Sequence, residues 1–173
     1  MEAIERYLNS FGQSVVNKSK GILKKKKKVV TGTLLNSISY TLSESKQGFT
    51  LKFLMADYGK FIDKGVSGTK KDRYYVDYKG KKRKSPFTYG KTRDGSLTRA
   101  LDKWIVMRGI APRDDKGRFI SRKSLKFLIA RKIYTQGIQG ISFFQQPLKL
   151  EMRGFTTSMG KALKEDIINT IEK

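Results

Sequence analysis

The sequence predicts an α+β fold: a small antiparallel sheet packed by an N-terminal and a long C-terminal helix, with a basic helical and hairpin insertion between them. Three observations carry this. Residues 2–23 place Ile4, Leu8, Phe11, Val15 and Ile22 at helical spacing. Residues 38–53 switch to alternation, with Ile38, Tyr40 and Leu42 before a polar connection and Phe49, Leu51 and Phe53 after it. From Pro147 onward, Leu148, Met152, Phe155, Met159, Leu163, Ile167 and Ile171 return to a helical period. At 173 residues the chain reads as a single domain, with its core in 1–65 and 141–173 and the insertion in 66–140.

The elements follow in order. After the first helix the Lys24–Lys28 run leads the chain away, and Thr31 and Gly32 open a short turn of helix over Thr33–Ser37. The connection Glu44–Gly48 is polar and ends in glycine, as a short hairpin loop does. Two strands with one apolar face need covering, so the six alternating residues are expected to face the helices. Tyr58, Phe61 and Ile62 suit a short helix ending at Gly65, bracketed by Asp57 and Asp63. Residues 67–93 mix Gly68, Gly80, Pro86 and Gly90 with Tyr74, Tyr75, Tyr78, Phe87 and Tyr89. They read either as an added hairpin turning near Lys79 and Gly80 or as a long basic loop.

A helix over Ser96–Arg108 puts Leu97, Ala100, Leu101, Trp104 and Ile105 on one face, with Asp94 or Ser96 as cap and Gly109 to close it. Asp114–Ser121 carries turn chemistry. The next helix, Arg122–Gln136, directs Leu125, Leu128, Ile129 and Ile133 inward and stops before Gly137. The last, 147–172, holds Pro147 in its first turn and would be about 39 Å long if continuous. Its apolar period is slower than 3.6 residues, so the stripe drifts or the helix bends at Gly154 or Gly160. Such a helix is expected to touch more than its own domain.

Charge sets the function classes. The chain has 38 Lys and Arg against 15 Asp and Glu, a net charge of +23. Lys18–Lys28, Lys64–Arg93 and Arg113–Lys132 hold +7, +9 and +6 of it, leaving the rest nearly neutral. Stretches of this kind attract polyanions or face an acidic protein partner. Lys79, Lys81, Lys82, Arg83, Lys84, Arg118, Arg122 and Lys123 are the candidates for contacting DNA or such a partner. Tyr74, Tyr75 and Tyr78 lie among them and either stack bases or pack an inserted hairpin.

The chain contains no Cys and no His, which excludes a disulfide scaffold, a thiolate nucleophile, a Cys/His zinc site and a Ser-His-Asp triad. No apolar run approaches the ~20 residues that span a bilayer, and Met1–Tyr7 lacks the order of a signal peptide. The sequence therefore reads as a soluble protein made inside the cell, with no membrane partner. Asp57, Asp63, Asp114, Asp115, Glu165 and Asp166 show no spacing that converges on a cation. Asp114–Asp115 reads as a turn, and Glu165 and Asp166 as the polar side of the last helix. Neither a cofactor nor a metal nor catalytic residues are expected, and the chain is not read as an enzyme.

Three short segments resemble a known family. Thr31-Gly32-Thr33-Leu34-Leu35-Asn36-Ser37-Ile38 resembles the T-G-x-L-x-x-S-I segment of the tail-completion family of tailed bacteriophages, small proteins of the lambdoid neck and tail. Tyr58-Gly59-Lys60-Phe61-Ile62-Asp63-Lys64-Gly65 is similar to its Y-A-x-F-V-E-x-G-T, and Phe143-Phe144-Gln145-Gln146-Pro147-Leu148 to its P-F-L-x-P-A-L. Asp63 stands where the family has Glu, the Thr after the Gly is displaced to Thr69, and Val66–Gly140 separates motifs that usually lie closer. The resemblance implies a structural virion protein: a homo-oligomeric ring at the head–tail junction, assembled in the host cytoplasm beside portal, adaptor or tail proteins. Such a ring would surround the DNA exit channel, where the basic segments would either meet double-stranded DNA through its phosphates or pair with acidic patches on neighbouring proteins. It marks Gly32, Leu34, Ser37, Tyr58, Phe61, Asp63, Gly65, Phe144 and Pro147 as structural positions. Gly32 and Gly65 would need a positive φ or close packing, and Tyr58, Phe61 and Phe144 would serve as core or subunit contacts. The alternative is a free, basic nucleic-acid-binding protein.

Overall fold

The computed structural model describes residues 2–89 and 96–172, and its architecture is α+β, as the periodicities predict. Helix α1 (Glu2–Lys25) opens the chain, with Glu2 and Glu5 in its first turn and Lys24 and Lys25 in its last. Each sign opposes the helix dipole at that end. Helix α2 (Thr33–Ser37) starts after Gly32, which takes the left-handed conformation at φ 79°. Strands β1 (Ser39–Ser45) and β2 (Gly48–Leu54) form an antiparallel hairpin that pairs Tyr40 with Phe53 and Leu42 with Leu51. Helix α3 (Gly59–Lys64) stops at Gly65, where β3 (Gly65–Val66) begins.

Strands β4 (Tyr74–Val76) and β5 (Lys82–Lys84) form a second hairpin, so for residues 67–89, the described part of this stretch, the hairpin reading holds rather than the loop. Helices α4 (Ser96–Met107) and α5 (Arg122–Gln136) follow, then β6 (Ile138–Gln139), α6 (Gln145–Met152) and α7 (Phe155–Ile171). Strand β6 returns to pair antiparallel with β3.

Helix α1 is the spine of the core. Its C-terminal half packs Val16 and Leu23 against Leu34, Ile38 and Phe143. Its N-terminal half packs Ala3, Ile4 and Leu8 against Ala162 of α7, with Leu42, Phe49, Phe155 and Met159 around them. The β1–β2 face that alternation assigned to the helices does turn toward them. Only Ile38 is fully covered, however, while Tyr40, Leu42, Phe49, Leu51 and Phe53 stay half-buried. An open groove of about 440 Å³, lined by Leu8, Phe11, Leu51, Phe53, Phe155 and Met159 among others, separates β2 from the helices.

The tail departs from a single helix. It breaks between Met152 and Phe155, with Gly154 as the N-cap of α7, at one of the two glycines where a bend was expected. The break turns Phe155 onto α1, edge to face with Phe11 at 5.1 Å between ring centroids. Beyond it the covered side of α7 runs through Met159, Ala162 and Asp166. The expected stripe residues Leu163, Ile167 and Ile171 are exposed instead, Ile171 by 78%. Small Ala162 lets α7 approach α1 closely, which a count of large apolar residues overlooks. Leu128 of α5 is likewise exposed and not inward, because α5 is covered mainly along its α4 side and buries no residue. Leu101 and Ile105 of α4 are buried as expected. Asp94, Gly90 and the side chains of Leu97 and Ala100 lie outside the described residues.

Asp166 is not on a polar face. Its two carboxylate oxygens accept hydrogen bonds from the backbone N–H groups of Ala3 and Ile4 at 2.9 and 3.0 Å, so α7 caps the N-terminus of α1. These bonds, Ala3 N–H first, hold the carboxyl below its ordinary value of 3.8. A lowered folded-state value means that the contribution is complete above the unfolded value and is lost as pH falls through the folded one. The Tm gap between the protein and its Asp166→Asn variant should therefore be constant above about pH 5 and close below about pH 4. A gap unchanged to about pH 2 would show that no anion caps α1.

Candidate functional site

The three family-like segments, more than a hundred residues apart at their extremes, meet in one joint. Leu34 of α2 and Phe143 lie in the same buried cluster. The Ser37 hydroxyl donates to Leu34 C=O at 2.9 Å and accepts from Ala56 N–H at 2.9 Å, fixing α2 to the end of the hairpin. Gly59 lies so close to Leu34 and Met55 that a Cβ there would stand 2.9 Å from each side chain. Asp63, 3% exposed, reaches across to the start of α6 and accepts from the Phe144 N–H at 2.8 Å and the Gln145 N–H at 3.4 Å.

Burial pushes the Asp63 carboxyl up from 3.8, and the bonds from Phe144 and Gln145 only partly offset this. The acid in this motif is thus a helix cap supplied from another element. The joint is closed by backbone: Ile141 N–H donates to Ile62 C=O and Ser142 N–H to Asp63 C=O, both at 3.0 Å.

The other motif residues separate into covered and uncovered ones. Pro147 is fully buried in the first turn of α6. Phe144 is half-buried, edge to face with Phe53 at 5.3 Å. Gly65 takes φ 77° and Gly32 φ 79°, as the resemblance implies. Tyr58 and Phe61 are exposed rather than core, although Phe61 meets Phe87 of the insertion edge to face at 4.6 Å.

The β4–β5 hairpin carries the densest charge. Its turn is organised by Asp77, which accepts from the backbone N–H groups of Lys79 and Lys81 at 3.0 and 2.8 Å and from Arg83 Nε at 2.7 Å. The Arg83 bond is the main reason that this carboxyl lies below its ordinary value. Arg83 is therefore committed to the turn, and Lys84 is paired with Asp72 at 2.8 Å. Lys79, Lys81 and Lys82 have no carboxylate partner among the described residues. Lys82 Nζ stands 5.0 Å from the ring centre of exposed Tyr74, and Lys79 Nζ 5.7 Å from that of Tyr78. Tyr75 is half-buried under Lys64. Tyr74 and Tyr78 thus offer stacking faces flanked by ammonium groups.

Arg118, Arg122 and Lys123 belong to a different surface, the α4–α5 connection. Arg118 is tied to Asp114 at 2.9 Å across a turn that Asp114 organises through Lys116 and Arg118 N–H groups. Arg122 and Lys123 are exposed at the start of α5, whose N-cap is Ser121. Helix and turn signals foretold neither the caps that Asp63 and Asp166 supply to elements distant in sequence nor the local bonds by which Asp77 organises its own turn. Lys149 of α6, which comes up against the β4–β5 turn at Gly80, gave no sequence signal either. Comparison of the chain with protein-family models, curated proteins and solved structures returns no match.

Proposed function

We propose that the chain is a ring-forming structural subunit of a tailed-phage virion, a neck or tail-completion protein at the head–tail junction around the DNA channel. The observation that supports this most is the joint. The segments that carry the resemblance converge on one buried contact in which the motif acid, Asp63, caps the helix opened by the Phe143–Leu148 segment. Exposed apolar surface on α7, at Leu163, Ile167 and Ile171, and the open edges of the β1–β2 hairpin suit a subunit that contacts its own copies. In this reading the chain is structural, not enzymatic. Its neighbours are further copies and portal, adaptor or tail proteins, and it meets double-stranded DNA through phosphates.

The second reading, a free nucleic-acid-binding protein, is favoured by the Tyr74 and Tyr78 faces beside unpaired lysines. Labelling purified particles with an antibody to this chain separates the two. Label at the head–tail junction is expected. Particles free of the chain, with label confined to intracellular nucleic acid, would favour the second reading.

A further inference from the structure

A cavity of about 500 Å³ lies between the end of α1, the β4–β5 turn and the segment that leads into α6. Lys26, Asp77, Ser142, Gln146 and Lys149 are among its lining residues. Asp77 is the only carboxylate in that lining and is already satisfied by Arg83 and two backbone N–H groups. Lys26 and Lys149 have no carboxylate partner among the described residues. Lys149 Nζ sits 3.1 Å from where a Cβ on Gly80 would stand, against the turn that carries Lys79 and Lys81. Lys26 and Lys149 thus bring two ammonium-bearing side chains to one opening whose carboxylate is already engaged.

The backbone adds an independent sign. Ser142 is one of two non-glycine residues at positive φ among those described, at 49°, a conformation that costs energy and is held here by bonds from Ser142 N–H to Asp63 C=O and from Gln146 N–H to Ser142 C=O. Ser142 and Gln146 both line the cavity, and neither side chain has a hydrogen-bond partner among the described residues.

Two point charges, a hydroxyl and an amide N–H are the donor set of a tetrahedral oxyanion. We propose that this cleft binds a phosphate group, held by Lys26 and Lys149 with Ser142 and Gln146 as neutral donors. The cleft is complete within one chain, so the proposal goes beyond the ring reading and does not depend on it. The phosphate is either a phosphodiester of nucleic acid or that of a free small molecule.

The test uses the whole 173-residue chain, a short DNA duplex in a salt series, and pyrophosphate as the small-molecule probe. If the source is the phosphodiester backbone, Lys26→Gln/Lys149→Gln should flatten the slope of log K against log salt by about 1.8. Duplex binding should weaken roughly 60-fold at ~0.1 M salt, from ~0.9 for each of two lost contacts. Lys46→Gln/Lys52→Gln, an equal charge change on the β1–β2 hairpin, should move both much less. Gln146→Glu, at an exposed position, should weaken binding without removing a lysine, and Lys149→Arg should retain it. If the source is a free phosphate, duplex slopes of the cleft and control variants will coincide, while wild-type protein binds pyrophosphate calorimetrically and the cleft variant does not. Coincident slopes together with no pyrophosphate binding by the wild type would overturn the proposal.

Discussion

Replacing Phe143 with Ala should cost about 3–5 kcal/mol of stability. Phe143 is fully buried at the centre of the larger core cluster, against Val16 and Leu23 of α1, Leu34 of α2 and Ile38 before β1. These neighbours come from α1, α2 and the residue before β1, so collapse of one side chain cannot fill the hole. The adjacent residue, Phe144, carries the N–H that Asp63 caps, so loss of the ring also loosens that contact. Urea unfolding reads the effect as a lower midpoint at an unchanged slope. Phe53→Ala, the truncation that alternation alone would have selected, should cost less, since Phe53 is half-buried beside the open groove. A loss under about 1 kcal/mol at Phe143, set against the cavity costs usual for such truncations, would place the core elsewhere.

Gly65→Ala should be comparably damaging, for a different reason. Gly65 has φ 77° and ψ 179°, a region that L side chains avoid. A Cβ there would stand 2.5 Å from Gly140 N and 2.6 Å from Ile138 O, both backbone atoms that no rotamer change can move aside. Backbone strain and overpacking each cost about 1–3 kcal/mol, so a combined loss of about 3–5 kcal/mol is expected. The damage should extend to the basic hairpin, because the Ser85 hydroxyl donates to Gly65 C=O at 2.7 Å. Gly160→Ala is the control. It lies within α7 with nothing near its added methyl group, and should stabilise by about 0.5–1 kcal/mol. Equal effects at the two glycines would mean that β3 and β6 do not approach as closely as described.

Much of the fold was legible because it is written in local periodicity. Helix α1 buries one regular face, the β1–β2 hairpin half-buries another, and Gly65 and Gly137 stop α3 and α5 where a glycine stop signal stands. What could not be read is what depends on close approach between distant segments. Ala162 replaced Leu163 on the buried side of α7 because α1 comes near enough to favour a small residue. Asp166 became a cap because the N-terminus of α1 ends beside it. The candidate site shows the same division. The lysine-rich hairpin was visible as a charge cluster, yet Arg83 turned out to be bound to Asp77. Lys26 and Lys149 converge on one cleft only once α1 and α6 are folded together.

The native mass of the purified 173-residue chain tests the ring reading most directly. A single closed species at a fixed integral multiple of 19.8 kDa is expected, because a self-contact that repeats by rotation closes after a set number of copies. Leu163→Gln/Ile167→Gln/Ile171→Gln, which alters only exposed positions of α7, should return it to monomer with its helical content intact. A wild-type chain that remains a monomer at every concentration, and shifts in mass only by adding short DNA, would contradict the ring.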